Sequence, residues 1–163
     1  MSKVIYPGTF DPITLGHLDV IRRASRMFET LIVAVGDNPA KSALFTRRER
    51  LAMVRAETKD LKNVEVRGFG GLLVDFASKQ GATTILRGVR TTADFEYELQ
   101  MAVANRAVGG VETIFMAPTP EYEFVSARLI RELAAMGGDV SRLVPPSVAS
   151  RLKRKCARAR RRR

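Results

Sequence analysis

Six side chains in this sequence have the types and the placement to act on a phosphorylated substrate: Thr9, His17, Lys41, Arg87, Arg90 and Ser126. All are hydrogen-bond donors or cations. None looks like an activated nucleophile, and the one cysteine, Cys156, lies close to the C-terminus. His17 is the sole histidine, so no His/Cys cluster has metal-ligand spacing. Such a set suits a polyphosphate. Phosphoryl or nucleotidyl transfer asks a protein mainly for positioning and for stabilisation of developing negative charge. Singly, each residue has a plainer reading: His17 and Ser126 as helix caps, Lys41 as a solvated loop charge, Arg87 and Arg90 as a polar strand end. Two arginines around Gly88 favour phosphate contact, because the guanidinium binds phosphate in a planar fork.

These residues gather around one block, Tyr6-Pro7-Gly8-Thr9-Phe10-Asp11-Pro12-Ile13-Thr14-Leu15-Gly16-His17. A short apolar run, Val4-Ile5-Tyr6, precedes it as a first strand. An amphipathic segment follows from Leu18 to Phe28, with apolar residues at 18, 20, 21, 24, 27 and 28, a helical spacing. The order is strand, Gly/Pro loop, then a helix opening at Gly16-His17. In an open α/β sheet that loop lies at the carboxyl edge, where ligands bind. A helix start adds free N–H groups and a positive dipole end for phosphate.

Further along, Thr30 to Gly36 is a continuous apolar run of the kind buried on both faces of a parallel sheet. The loop 37–45 ends at Thr46-Arg47-Arg48-Glu49, a capping box starting a helix to about Thr58. Val64 to Gly68 is a third strand, and Leu72 to Gln80 a short helix stopped by Gly81. Thr84-Ile85-Leu86 is a fourth strand, followed by Arg87-Gly88-Val89-Arg90 and a helix from about Thr92 to Val108. Glu112 to Met116 is a fifth strand. Ser126 then caps a helix stopped by Gly137-Gly138, and 147–154 forms a last short helix. Strands separated by crossover-length helices predict a single Rossmann-like α/β domain: a doubly wound, five-stranded parallel sheet with helices on both faces. The Gly-x-Gly-x-x-Gly turn of dinucleotide oxidoreductases is missing, which argues against a redox cofactor.

At 163 residues and 45% hydrophobic content, the chain is long enough for one proper core. The formal charge of +11 is concentrated: residues 151–163 hold nine of the 28 Lys and Arg and no acid, leaving 19 basic against 17 acidic residues in 1–150. The expected organisation is a domain over 1–150 and a basic, disordered C-terminal tail over 151–163. Nucleic acid is an alternative partner only through that tail, which has no interleaved aromatics for base stacking. No membrane span or signal-peptide layout is visible, and a single cysteine fits a reducing compartment, so the cytoplasm is the expected location.

Gly8-Thr9-Phe10-Asp11-Pro12 with Thr14-x-Gly16-His17 resembles the signature of the HxGH/TxGH nucleotidyltransferases. Lys41, Phe45-Thr46-x-x-Glu49-Arg50, Arg87-Gly88-x-Arg90 and the block Ala93-Asp94-Phe95-Glu96-Tyr97-Glu98-x-Gln100-x-Ala102-x-x-Asn105-Arg106 are similar to the bacterial phosphopantetheine adenylyltransferases. Gly137 to Val140 continues the likeness, which spans about 1–150. The resemblance implies transfer of the ATP adenylyl group to 4′-phosphopantetheine, giving dephospho-CoA and pyrophosphate without a covalent intermediate. It implies that Thr9, His17, Lys41 and Arg90 serve the transfer. Phe10, Gly88, Val89, Arg90 and Glu98 would lie along ATP, and Lys41, Leu73 and Arg87 along phosphopantetheine, with Thr9 shared. Tyr122, Glu123, Phe124, Val125, Ser126, Ala127 and Arg128 would lie near ATP as well. Here Ala127 and Arg128 stand where the family often carries further serines. Magnesium arriving with ATP and a homohexamer are also implied. Nicotinate mononucleotide or glycerol phosphate remain alternative acceptors.

Overall fold

Strands buried on both faces must be apolar almost throughout, and the computed structural model shows where those runs lie. It describes residues 2–37 and 42–160. In chain order the elements are β1 (Lys3–Gly8), α1 (Leu15–Met27), β2 (Thr30–Gly36), α2 (Arg47–Thr58), β3 (Val64–Phe69), α3 (Leu73–Gln80), β4 (Thr84–Gly88), α4 (Thr92–Gly109), β5 (Glu112–Met116), a 3₁₀ turn (Pro120–Tyr122), α5 (Ala127–Met136) and α6 (Pro146–Arg160). Every strand pairing is parallel, and the sheet order is β3-β2-β1-β4-β5. The doubly wound five-stranded sheet expected from the sequence is the one observed.

The alternation along β1 explains how the layers form. Val4 and Tyr6 join a core with Leu31, Val33 and Val35 of β2 against α1, α2, α5 and α6. Ile5 points the other way, with Ile32 and Ile85, onto Val74 and Ala77 of α3. Chain order reverses between β1 and β4, so a crevice opens outside their carboxyl ends, the usual ligand position in such sheets. Local signals set the helix limits. Thr46 and Glu49 form the reciprocal capping box of α2, and Gly81 and Gly137 end α3 and α5 in the left-handed region.

The C-terminal segment departs from expectation. Residues 146–160 form one helix, where a short helix and then a disordered tail are expected from the charge. Val148, Leu152 and Cys156 recur every four residues and sink one face into the core; Leu152 is 0% and Cys156 5% exposed. Burying a leucine alone contributes roughly 1.5–3 kcal/mol. Lys155 adds an ion pair with Glu49 at 2.8 Å and lies 5.4 Å from the Phe45 ring centre. A count of charges conceals this seam, because cations at 151, 153, 154, 155 and 158 surround it.

Candidate active site

His17 is oriented by the helix it opens. The Thr14 hydroxyl accepts from the His17 N–H at 3.2 Å, and the Thr14 N–H donates to His17 Nδ1 at 3.1 Å. This is a capping box with imidazole in the place usually held by Glu or Gln. A backbone N–H only donates, so Nδ1 must present its lone pair and the ring proton resides on Nε2. Burial pushes the imidazole down from its ordinary value to about 4, and Arg90 acts in the same direction. Near neutral pH the ring is therefore an uncharged donor through Nε2.

Beneath it lies Phe10, with ring centres 5.0 Å apart. Phe10 has φ +48 and meets Tyr6 edge-on at 5.6 Å. A Cβ on Gly8 would come within 2.9 Å of the Phe10 ring. Glycine at position 8 therefore lets the loop tuck an aromatic ring under the histidine.

Two adjoining cavities open at this edge. One, of about 390 Å³, is lined by Tyr6, His17, Gly88, Arg90, Asp94, Tyr122, Val125, Ser126 and Ala127, among others. The other, of about 770 Å³, is lined by Gly8, Thr9, Leu72, Leu73, Arg87, Met101 and Asn105, among others. Tyr97 and Glu98 belong to both walls. On that partition, Arg87 Nε lies 2.9 Å from Glu98 Oε2. Partial burial raises the Glu98 carboxyl above its ordinary range, against the pull of Arg87.

Of the residues singled out from the sequence, His17, Gly88, Arg90, Glu98, Tyr122, Val125, Ser126 and Ala127 line the first cavity. Thr9, Leu73, Arg87 and Glu98 line the second. Thr9, His17, Arg87 and Arg90 thus meet at one rim. Lys41 lies outside the described residues. Phe10 supports His17 and lines neither cavity. Glu123, Phe124 and Arg128 also stay outside; Arg128 is exposed and paired with Glu132 at 3.0 Å. Val89 uses its N–H to bind the Met116 carbonyl. Ser126 caps α5, accepting from the Leu129 N–H at 3.1 Å, while lining the first cavity.

Sequence reasoning missed the scaffold of this rim. Arg50, 1% exposed, donates to the carbonyls of Phe45 at 3.1 Å, Thr9 at 2.6 Å and Gly36 at 2.8 Å, and pairs with Asp37. Arg47 also reaches Asp37, at 2.6 Å, and hydrogen bonding to the two guanidiniums, Arg50 foremost, holds that carboxyl below its ordinary range. Asp11 accepts from the N–H groups of Leu44 and Phe45 at 2.8 and 2.9 Å. Arg90 Nη1 donates to the Val125 carbonyl at 3.0 Å, and Arg90 Nη2 lies 3.0 Å from Asp94. Asp19 of α1 accepts from the Thr119 N–H at 3.0 Å. Arg50 stood in the motif that carries the resemblance, but an arginine in the first turns of a helix carries no sequence mark of burial, so its part in tying the loops together was not readable.

A Rossmann-like sheet with phosphate-seeking groups at its switch point is the architecture of a nucleotidyltransferase. The chain belongs to the cytidylyltransferase-like family, whose model matches residues 5–133. It is 54% identical over 154 residues, 94% of this chain and 95% of the other, to phosphopantetheine adenylyltransferase of Methylococcus capsulatus (strain Bath). The likeness to the phosphopantetheine adenylyltransferases read from the sequence is therefore borne out. Two solved structures share the fold at 20% identity. One is a candidate nicotinate-nucleotide adenylyltransferase from Vibrio parahaemolyticus, with TM-score 0.65, covering 93% of this chain and 91% of that one. The other is a lipopolysaccharide core biosynthesis protein from Thermoplasma volcanium, with TM-score 0.53, covering 73% and 97%.

The His17 environment makes a measurable prediction. Followed by NMR in the ligand-free protein, the single imidazole should titrate with a midpoint near 4, not near its ordinary 6.5. Because the folded value is the lower one, the associated stability is complete above pH 6.5 and is lost as the pH falls toward 4. A midpoint near 6.5 would contradict the partly buried, Nδ1-accepting arrangement.

Proposed function

We propose that this protein transfers the adenylyl group of ATP to 4′-phosphopantetheine. The observation that carries the reading is the pair of cavities with one shared wall. One holds the neutral His17 and Arg90; the other holds Thr9, Leu73 and Arg87. ATP takes the first, with its α-phosphate beneath His17, and the acceptor takes the second, with its phosphate at Thr9 and Arg87. An acceptor phosphate oxygen attacks the α-phosphorus in line. The bond from that phosphorus to the α,β-bridging oxygen breaks, pyrophosphate departs with that oxygen and the electron pair, and dephospho-CoA remains. His17 donates from Nε2 to an α-phosphate oxygen as its charge grows in the transition state, while Arg90 and Arg87 oppose the charge on either side.

The substrate is MgATP. The rim offers donors and cations, and its carboxylates Asp94 and Glu98 are engaged by Arg90 and Arg87, so the ion would arrive on the phosphate oxygens of ATP, as Mg²⁺ commonly does. Lys41, which follows β2 in sequence, is assigned to the acceptor side on resemblance alone. Away from the two cavities, α4 and β5 expose Phe95, Leu99, Val103 and Ile114. A strip of that size is unusual on a monomer, which supports the homohexamer that the family likeness implies.

Pyrophosphate release measured with ATP and each acceptor in turn tests the assignment. Turnover is expected with 4′-phosphopantetheine and not with nicotinate mononucleotide or glycerol phosphate; the reverse pattern overturns it. Sedimentation should give a mass several times 18.1 kDa, and a single species at that monomer mass would remove the assembly.

A further inference from the structure

Tyr6 occupies a place that an ordinary core residue would not. It lies on β1 among Val4, Leu31 and Leu86, is 5% exposed, and packs its ring edge-on against Phe10. Phenylalanine would satisfy all of those contacts. Yet the chain carries a hydroxyl here, and among the described residues that hydroxyl makes no hydrogen bond to protein. Although the residue is 5% exposed, its oxygen is not among the fully enclosed unpartnered atoms of the described residues and so keeps an opening out of the core. It is aimed into the first cavity, which Tyr6 lines together with His17, Gly88 and Arg90.

The neighbouring strand is shaped around the same point. A Cβ on Gly88 would sit 3.3 Å from the Tyr6 hydroxyl oxygen. A side chain there would cover the hydroxyl and displace whatever binds it, whereas glycine leaves it open toward the ligand. Burial holds the phenol well above its ordinary value, although Arg87 and Arg90 pull the other way. It therefore remains protonated and acts as a donor. Arg90 and Arg87 flank Gly88 in sequence, so an anionic group drawn between them arrives at the hydroxyl.

We propose that the Tyr6 hydroxyl is a further ligand-binding group of this site, donating a hydrogen bond to a phosphate oxygen of the bound nucleotide. Gly88 is then required to keep that donor uncovered. The inference rests on the nucleotide reading of the first cavity, but it concerns ATP alone and not the acceptor.

The test compares wild type with Tyr6→Phe, in which the ring packing is kept. Three quantities are measured: the dissociation constant for MgATP, steady-state turnover with each substrate varied, and ligand-free thermal unfolding. Loss of a hydrogen bond to a charged group predicts about a tenfold drop in kcat/KM for ATP, within the usual range of such bonds. The KM for phosphopantetheine and the ligand-free unfolding midpoint should not move. Affinity and turnover within twofold of wild type would overturn the proposal. So would a fall in ligand-free stability together with unchanged ATP affinity. Gly88→Ala, made alone and with Tyr6→Phe, supplies an independent check. Its effect on ATP affinity should be smaller in the Phe background, and strict additivity would contradict the assignment. A wild-type enzyme that binds ATP but turns over no phosphopantetheine would refute the acceptor assignment while leaving the Tyr6 comparison decisive.

Discussion

The hydrogen bond from the Thr14 N–H to His17 Nδ1 fixes more of this protein's chemistry than any other single contact. It closes the first turn of α1, it sets which ring nitrogen carries the proton, and it turns Nε2 outward. A cation at this position would be costly in a buried setting beside Arg90. The neutral ring avoids that cost and still supplies a donor. Helix start and proposed catalytic group are the same structure, so the geometry of the donor is as rigid as the helix. Pre-organised donors of this kind need no rearrangement at the moment when charge develops.

That rigidity depends on the loops around it, which are cross-tied. Arg50 collects carbonyls from the β1–α1 loop, the end of β2 and the start of α2. Asp11 returns the link from the first loop to Leu44 and Phe45, and Arg131 of α5 donates to the Asp11 carbonyl at 2.6 Å. Arg90 joins the end of β4 to the loop before α5. A buried guanidinium that satisfies several carbonyls is tolerated because each of its nitrogens donates and Asp37 opposes its charge. The rim is therefore assembled before substrate arrives. One of its cations, Arg87, rests meanwhile against Glu98 on the wall between the cavities.

Much of this was legible in the sequence because the governing signals are local. Apolar runs delimited β2 and β5, caps at Thr46 and Ser126 marked helix starts, and the sequence positions of Thr9, His17, Arg87 and Arg90 after strands put them on one edge. The cap reading of His17 is the one observed, and the proposed chemistry would use the same bond, since it is what directs Nε2. The misses are nonlocal. The last helix read as short, over 147–154, and the residues from 151 on as a disordered basic tail, because Leu152 and Cys156 gain meaning only against a core formed elsewhere. Arg50 entered only as one letter of a motif and Tyr6 as the end of a strand. Their roles come from what lies above them in space: three carbonyls in one case, an open glycine in the other. The 122–128 stretch read as a continuous contact segment, whereas its 3₁₀ turn and helix start bring only some of its residues to the cavity.

The central claim is that a neutral imidazole, held through Nδ1, offers its Nε2 proton to the nucleotide. With ¹⁵N-labelled histidine and one ring in the chain, NMR at pH 8 reads both nitrogens directly as MgATP is added. The account predicts a proton on Nε2 and none on Nδ1 throughout, with the Nε2 proton moving downfield as nucleotide saturates the site. A ring protonated on Nδ1, or an Nε2 proton that does not respond to bound ATP, would contradict it.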